Sequence, residues 1–312
     1  MITGKMTIGI MTVNGFDFHP NKRLQESAKA SGHEILLINP YEMICTLEKG
    51  NLDFQVESLE QVPHVILPRQ GSPMGEYGFV LLRQFAKMGI PLVNGLEGVT
   101  IAKNQYISLQ TLASEGIPVP DTCFITRKTG FFEAVRKLGG YPVIAKQVDG
   151  MGGDGVVKIE SQSQARGFLD NNLRPLKGML VQRFINPEGR KDLRMLVIGG
   201  RLAGAMTLMP GPGDFRANIH QNGRAESFDP PEEWVKLALD SAAACCLDIA
   251  GVDMIVENNG NPLVVEVNYS PGFKGLEDAT KLDISREIID YVISVTQTHT
   301  HNHNKDHNER NQ

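Results

Sequence analysis

Cysteine is scarce in this chain of 312 residues. The four present, Cys45, Cys123, Cys245 and Cys246, form no Cys-x-x-Cys pair, so they are expected to stay reduced in a cytoplasm. Cys245 and Cys246 fall in an alanine-rich helical pattern and are expected in a core. Excess positive charge is lacking too. The formal net charge is −5, which argues against a general nucleic-acid or membrane-surface binder. No apolar run approaches the roughly 20 residues of a membrane span. The opening MITGKMTIGIM lacks the long apolar region and cleavage site of a signal peptide. No Gly-Lys-Ser or Gly-Lys-Thr occurs, which excludes a P-loop.

What is present is an ordinary globular composition, 41% hydrophobic and 21% charged, at a length that predicts two or three domains. Thr7–Val13 reads as a strand, Asn21–Ser31 as a helix and Glu34–Asn39 as a second strand. Such a βαβ opening argues for a parallel sheet covered by helices. His64–Pro68 reads as a third strand, running into Arg69 and a Gly/Pro-rich loop. Ligands of open α/β sheets bind beyond the carboxyl ends of strands. Arg69 is therefore either an anchor for an anionic group or a surface arginine. Gly78–Met88 reads as helix, Ile90–Val93 as a short strand and Asn94–Gly98 as the end of a first domain. Val99–Glu115 reads as one long amphipathic helix carrying Lys103.

Within Tyr141–Glu160 the run Gly150-Met-Gly152-Gly153-Asp-Gly155 fits the dinucleotide fingerprint G-x-G-x-x-G. That fingerprint requires a helix after the glycines. Here VVKIE follows, which is a strand, so the reading is rejected. What remains is strand, glycine-rich loop, strand, with Lys146 on the first strand. Such a loop offers backbone N–H groups to phosphate oxygens while a lysine neutralises charge. A bare flexible hairpin is the alternative. Further on, Met179–Ile185, Asp192–Ile198 and Arg201–Thr207 read as strands, and residues 210–223 as a loop holding Arg216 and Asn218. Glu232–Leu247 and Asp283–Val295 read as helices. The tail from residue 297 carries four of the eight histidines and is expected to be disordered, either a weak metal binder or a solvated end.

The densest chemistry lies in two β-branched runs, Gly251–Val256 and Asn261–Gly275, separated by Glu257-Asn258-Asn259-Gly260. Asn-Gly signals a two-residue type I′ turn. With Asn259 and Gly260 as that turn, Asp253 faces Glu266, and Asn268 leaves the same face as Glu266. Opposed carboxylates cost stability unless a hard cation with oxygen ligands joins them. The alternative is a solvated hairpin face.

Together, Lys103, Lys146 before the glycine loop, Gln182–Ile185, Asp192-x-Arg194, Asp214-Phe-Arg216-Ala217-Asn218, Gly251-Val-Asp253 and Glu266-Val-Asn268-Tyr-Ser-Pro-Gly272 resemble the ATP-grasp superfamily. The run EVNYSPGFKGLEDATKLDIS is similar to the RimK-type α-L-glutamate ligases. The resemblance covers about Met6 to Val295. It implies an α/β and α+β architecture: a Rossmann-like preATP-grasp domain (1–96), a central lobe with the phosphate loop (97–186) and a C-terminal lobe with the metal site (187–296). It also implies ATP-dependent carboxylate–amine ligation through an acyl phosphate, with glutamate as the favoured amine and a protein tail or small carboxylate as acceptor. The implied cofactors are ATP and two Mg²⁺ or Mn²⁺. Asp253, Glu266 and Asn268 would be metal ligands. Lys103, Lys146 and the glycines Gly152, Gly153 and Gly155 would hold phosphates. Gln182, Arg183, Phe184, Ile185 and Asp192 would meet the nucleotide, with Ala217 and Asn218 nearby. Arg216 and Lys146 would act in catalysis, and Arg69, Tyr77 and Arg194 on the substrate side. A homo-oligomer is a further implication.

The chain departs from the family at two places. Gln182-Arg183-Phe184-Ile185 stands where Gln-Glu-Tyr-Ile is usual, and Ala217 where serine is usual. Both bear on nucleotide and acceptor preference more than on reaction class. A ligase for a different amino acid or acceptor, and a nucleotide-binding regulator without chemistry, are the competing expectations.

Overall fold

The computed structural model describes residues 4–56, 61–69, 75–148, 155–210 and 224–310, with 300–310 given by backbone alone. The chain opens with β1 (Thr7–Met11), α1 (His19–Ala30), β2 (Glu34–Ile38), β3 (Met43–Glu48), β4 (Asn51–Val56), β5 (Val65–Pro68) and α2 (Glu76–Lys87). All five residues of β1 are buried. It is flanked in parallel by β2 and β5. A strand covered on both faces has no polar side to show, which is why it reads as an unbroken apolar run. The expected strand at Ile90–Val93 is a single bridge of Leu92 to Ile66. The β3–β4 hairpin was not expected. It turns at Lys49 and Gly50, both with positive φ (51° and 86°), as a two-residue type I′ loop demands.

Next come α3 (Leu96–Lys103) and α4 (Gln105–Ser114), which correct the single helix expected over Val99–Glu115. Asn104 separates them in extended conformation, and its Oδ1 accepts from the amides of Tyr106 and Ile107 at 3.0 and 3.3 Å. An asparagine that caps the following turn competes with continuing the preceding one.

The middle of the chain forms β6 (Thr122–Ile125), α5 (Lys128–Lys137), β7 (Val143–Lys146), β8 (Val156–Ile159), α6 (Gln162–Asn172) and β9 (Met179–Arg183). The strands make an antiparallel sheet in the order β6-β9-β7-β8. Its own core includes Phe131, Val135, Val143, Leu169 and Val181. A strand does follow the glycine run, as the rejection of the dinucleotide reading required.

The last part holds β10 (Lys191–Ile198), β11 (Arg201–Met209), β12 (Arg224–Ser227), α7 (Glu232–Ala244), β13 (Ile249–Val256), β14 (Pro262–Asn268), α8 (Lys274–Thr280) and α9 (Ile284–Arg310). Its sheet is antiparallel, in the order β12-β11-β10-β13-β14. Successive residues of β10 face opposite sides. Leu193, Met195 and Val197 meet Trp234, Ala238 and Ala242 of α7, in a core that also takes Phe85 of α2, Val99 of α3 and Leu112 of α4. Leu196 and Ile198 join Ile8, Ile10 and Leu24 and the Ile284, Ile288 and Val292 face of α9. The parallel sheet and the five-stranded sheet are thus bound through two shared cores. The backbone of α9 runs to Arg310, beyond the Val295 expected as its end.

Candidate functional site

The face of the five-stranded sheet that is apolar at Leu196 and Ile198 becomes charged toward the start of β10. Period-2 alternation puts Arg194 and Asp192 on that face. Arg194 pairs across the ladder with Asp253 of β13. Its guanidinium donates from Nε and one NH₂ to the two carboxylate oxygens, at 2.6 and 2.5 Å. Asp253, above all, holds that guanidinium well above its ordinary range.

On the other side of β13, Asp253 faces Glu266 of β14, as expected, but through a different turn. Glu257 N donates to Asn261 O, so three residues, Asn258 to Gly260, make the loop, with Gly260 at φ 89°. This is the three-residue hairpin with a left-handed last position. It shifts the register by one from the expected two-residue turn. A bulge between Val264 and Glu266, leaving Val265 unpaired, shifts it back. Glu266 is buried. Burial first, and Asp253 second, raise its pKa, while Lys146 and a hydrogen bond from the Asn268 amide lower it.

Lys146 comes from the other sheet, at the end of β7. Burial lowers its pKa, and the charges of Glu266 and Asp253 raise it. The two sheets therefore meet with a cation from one against carboxylates from the other. Asp192 is drawn up by burial and down by Arg190, whose guanidinium lies 3.1 Å away. Arg190 also donates to Ile185 O at 2.7 Å. It was missed in the sequence, although Arg190, Asp192 and Arg194 show the same period of two. Lys146, Arg190 and Arg194 thus stand against Asp192, Asp253 and Glu266, three charges of each sign. A cleft of about 280 Å³ opens beside Arg190, Asp192, Leu208 and Phe228.

The remaining expected residues are distributed as follows. Gln182 donates to Thr122 Oγ1 at 2.9 Å. The Arg183 side chain is held by Asp121 at 3.3 Å and Glu257 at 3.0 Å. The Phe184 ring lies under Lys158 Nζ, 4.7 Å from its centroid. Lys103 ends α3, with Nζ 4.7 Å from the Phe79 ring centroid. Gly155, at φ 78°, accepts from Gln147 N at 3.4 Å and closes the base of the glycine segment. Tyr77 donates its hydroxyl to Met43 O at 2.5 Å, in the packing of the β3–β4 hairpin on α2, so the structure does not bring it to this cluster. Arg69 lies at the end of β5 beside Pro271. Gly152, Gly153, Arg216, Ala217 and Asn218 lie outside the described residues.

Comparison with known proteins fits this geometry. Residues 6–99 match the RimK PreATP-grasp domain and residues 102–292 the RimK-like ATP-grasp domain. A probable alpha-L-glutamate ligase of Legionella pneumophila (strain Corby) is 32% identical over 289 residues, which are 92% of this chain and 95% of the relative. One of Syntrophotalea carbinolica is 34% identical over 289 residues, with the same shares of 92% and 95%. Among solved structures, a RimK domain protein ATP-grasp from Sphaerobacter thermophilus aligns with a TM-score of 0.71 at 23% identity, over 92% of this chain and 99% of that one. The ATP-grasp ligase PsnB, complexed with a phosphomimetic variant of its minimal precursor, Mg and ADP, aligns with a TM-score of 0.69 at 18% identity, over 94% and 99%. With both family domains matched across the chain, and relatives above 30% identity over nearly its whole length, the chain belongs to the RimK-like ATP-grasp family and is a C–N bond-forming ligase of that class.

Proposed function

We propose that this ligase uses ATP and Mg²⁺ to join the amine of L-glutamate to a carboxylate on an acceptor, a protein tail or a small acid. The observation that carries the reading is the approach of Lys146 from one sheet to Asp253 and Glu266 on the other. A polyphosphate and a divalent cation need cationic and anionic partners on opposite walls. The glutamate specificity is drawn from the names of the relatives.

The metal fits the donor set. Glu266 and Asp253 are opposed carboxylates at one ladder position, and the Asn268 amide bonds Glu266. Such oxygen donors suit a hard cation. Asp253, Glu266 and Asn268 would hold one or two Mg²⁺, or Mn²⁺, which offset charge on the phosphates. Lys146, Lys103 and the amides around Gly152, Gly153 and Gly155 would bind phosphate oxygens. Backbone groups of Gln182–Ile185 would border the base. The Arg183 side chain is engaged by Asp121 and Glu257 and leaves that border to the backbone. Asp192 would meet the ribose. The acceptor carboxylate attacks the γ-phosphorus, ADP leaves, the glutamate amine attacks the acyl carbon, and phosphate departs as the amide forms. Arg216 with Ala217 and Asn218 belongs to this step, where a cation steadies the developing oxyanion. The three-lobe division at residues 96 and 186 is part of the same reading.

The test is phosphate release from ATP and Mg²⁺ with each amino acid in turn, with and without carboxylate acceptors, for wild type and Glu266→Ala. Glutamate-dependent release, abolished in the variant, is the expected result. Release with another amino acid would replace glutamate as substrate. Release unaffected by Glu266→Ala would overturn the metal assignment.

A further inference from the structure

Among the described residues, one buried cation outside the cluster faces no carboxylate. Arg69 follows β5 at the carboxyl end of the parallel sheet, and only 7% of it is exposed. One of its NH₂ groups donates to Pro271 O at 2.7 Å, and its guanidinium carbon lies 5.7 Å from the Phe273 ring centroid. Its Nε is buried and has no hydrogen-bond partner among the described residues. Burial alone moves its pKa, down to about 10, with no carboxylate raising it. On the same Phe273 ring, His19 stacks edge-on at 6.0 Å, with Nδ1 also buried and unpartnered. The other ring nitrogen of His19 faces Glu277 at 3.8 Å. His19 is the first residue of α1, whose cap residue Phe18 supplies no side-chain bond.

A buried charge without a partner is costly, and apolar side chains of similar volume serve packing better. A guanidinium with a spare N–H, beside the positive end of a helix, suits a carboxylate, which accepts bonds in parallel. Pro271 lies three residues past Asn268, and three residues span at most about 10 Å. An anion on Arg69 would therefore sit near the phosphates. We infer that Arg69, His19 and the first turn of α1 form a subsite for a substrate carboxylate, floored by Phe273. The inference rests on the ligase reading. The carboxylate belongs either to the incoming amino acid or to the acceptor.

The experiment is thermal melting of the full chain with Mg²⁺ and a non-hydrolysable ATP analogue. The probes are L-glutamate, its neutral α-amide isoglutamine, and N-acetyl-L-glutamate. Arg69→Met should melt no lower than wild type without a probe, because it removes an uncompensated charge. It should also lose the upward shift that the bound carboxylate gives wild type. A shift by L-glutamate but not isoglutamine assigns the amino acid, and a shift by N-acetyl-L-glutamate assigns the acceptor. Melting several degrees below wild type would make Arg69 a structural tie and overturn the inference. So would equal shifts in both proteins, or no shift of wild type by any probe. Phosphate release on the same samples separates the two readings. Release by both proteins with unchanged KM for both glutamate and the acceptor refutes the subsite alone, while no release by wild type refutes the ligase reading.

Discussion

Arg194→Met removes the cation that holds Asp253. The two side chains share two hydrogen bonds and are 26% and 15% exposed. Removing one partner of a fully buried ion pair costs about 3–5 kcal/mol. The remaining exposure lowers that figure, and the nearby Lys146 takes up part of the freed charge, so about 2–3 kcal/mol is expected here. Asp253→Asn should cost about as much, because it leaves Arg194 unpaired. The double variant loses both partners at once and should cost little more than either, a coupling of about 2 kcal/mol. At roughly 2 °C per kcal/mol for a chain of this size, each single variant melts about 4–6 °C lower. The assay is thermal melting of all four proteins without metal, repeated with Mg²⁺ and nucleotide. Mg²⁺ should raise Arg194→Met more than wild type, since a cation at Asp253 no longer has an arginine to displace. Additive losses in the double variant would refute the pairing argument.

Asn94 is buried and makes three bonds, donating to Ile249 O and Tyr269 O and accepting from Ile249 N, at 2.7–2.8 Å. Asn94→Ala strands all three backbone groups and should cost about 3 kcal/mol or more in urea unfolding; a loss below about 1 kcal/mol would show that the region rearranges. Asn104→Ala should destabilise by about 1 kcal/mol through loss of the α4 cap. The sign is decisive, because alanine in one continuous helix would stabilise. Glu266→Gln should stabilise the metal-free protein at neutral pH. The folded pKa of Glu266 is raised by burial and Asp253, so the native state binds the proton more tightly and wild type loses stability as pH rises through the carboxylate range. Urea midpoints of the two proteins should converge at acid pH, and a gap that stays constant with pH would contradict this sign.

Much of the site was legible because its chemistry is carried by residue type and strand period. Lys146, Asp192, Asp253, Glu266 and Asn268 all fall on strands whose alternation is plain in the sequence. Arg190 carries the same signal but lies one residue before β10 begins. The break at Asn104 was hidden because the apolar pattern continues across it, and the cap wins locally. The β3–β4 hairpin that accepts the Tyr77 hydroxyl was not legible either. Its turn, Lys49-Gly50, lacks the asparagine or aspartate that usually marks a type I′ loop.

The Asp253–Glu266 pair has a subtler history. Sequence logic reached it from a two-residue turn at Asn259-Gly260, and the hairpin reaches it from a three-residue turn and a bulge. Two offsets of one residue cancel. They cancel only on the far side of Val265, so the pairs near the turn, such as Met254 with Val264, follow one register, and those near the charges follow another. Without the bulge, Asp253 would face Val265, and the carboxylate of Glu266 would move to the opposite face of the sheet. The extra residue is therefore what brings two acids together at a position where they repel. A sheet optimised for stability alone would have no reason to contain it. Its presence beside half-buried Lys146 and paired Arg194 gathers two acids and two cations at one place on the sheet.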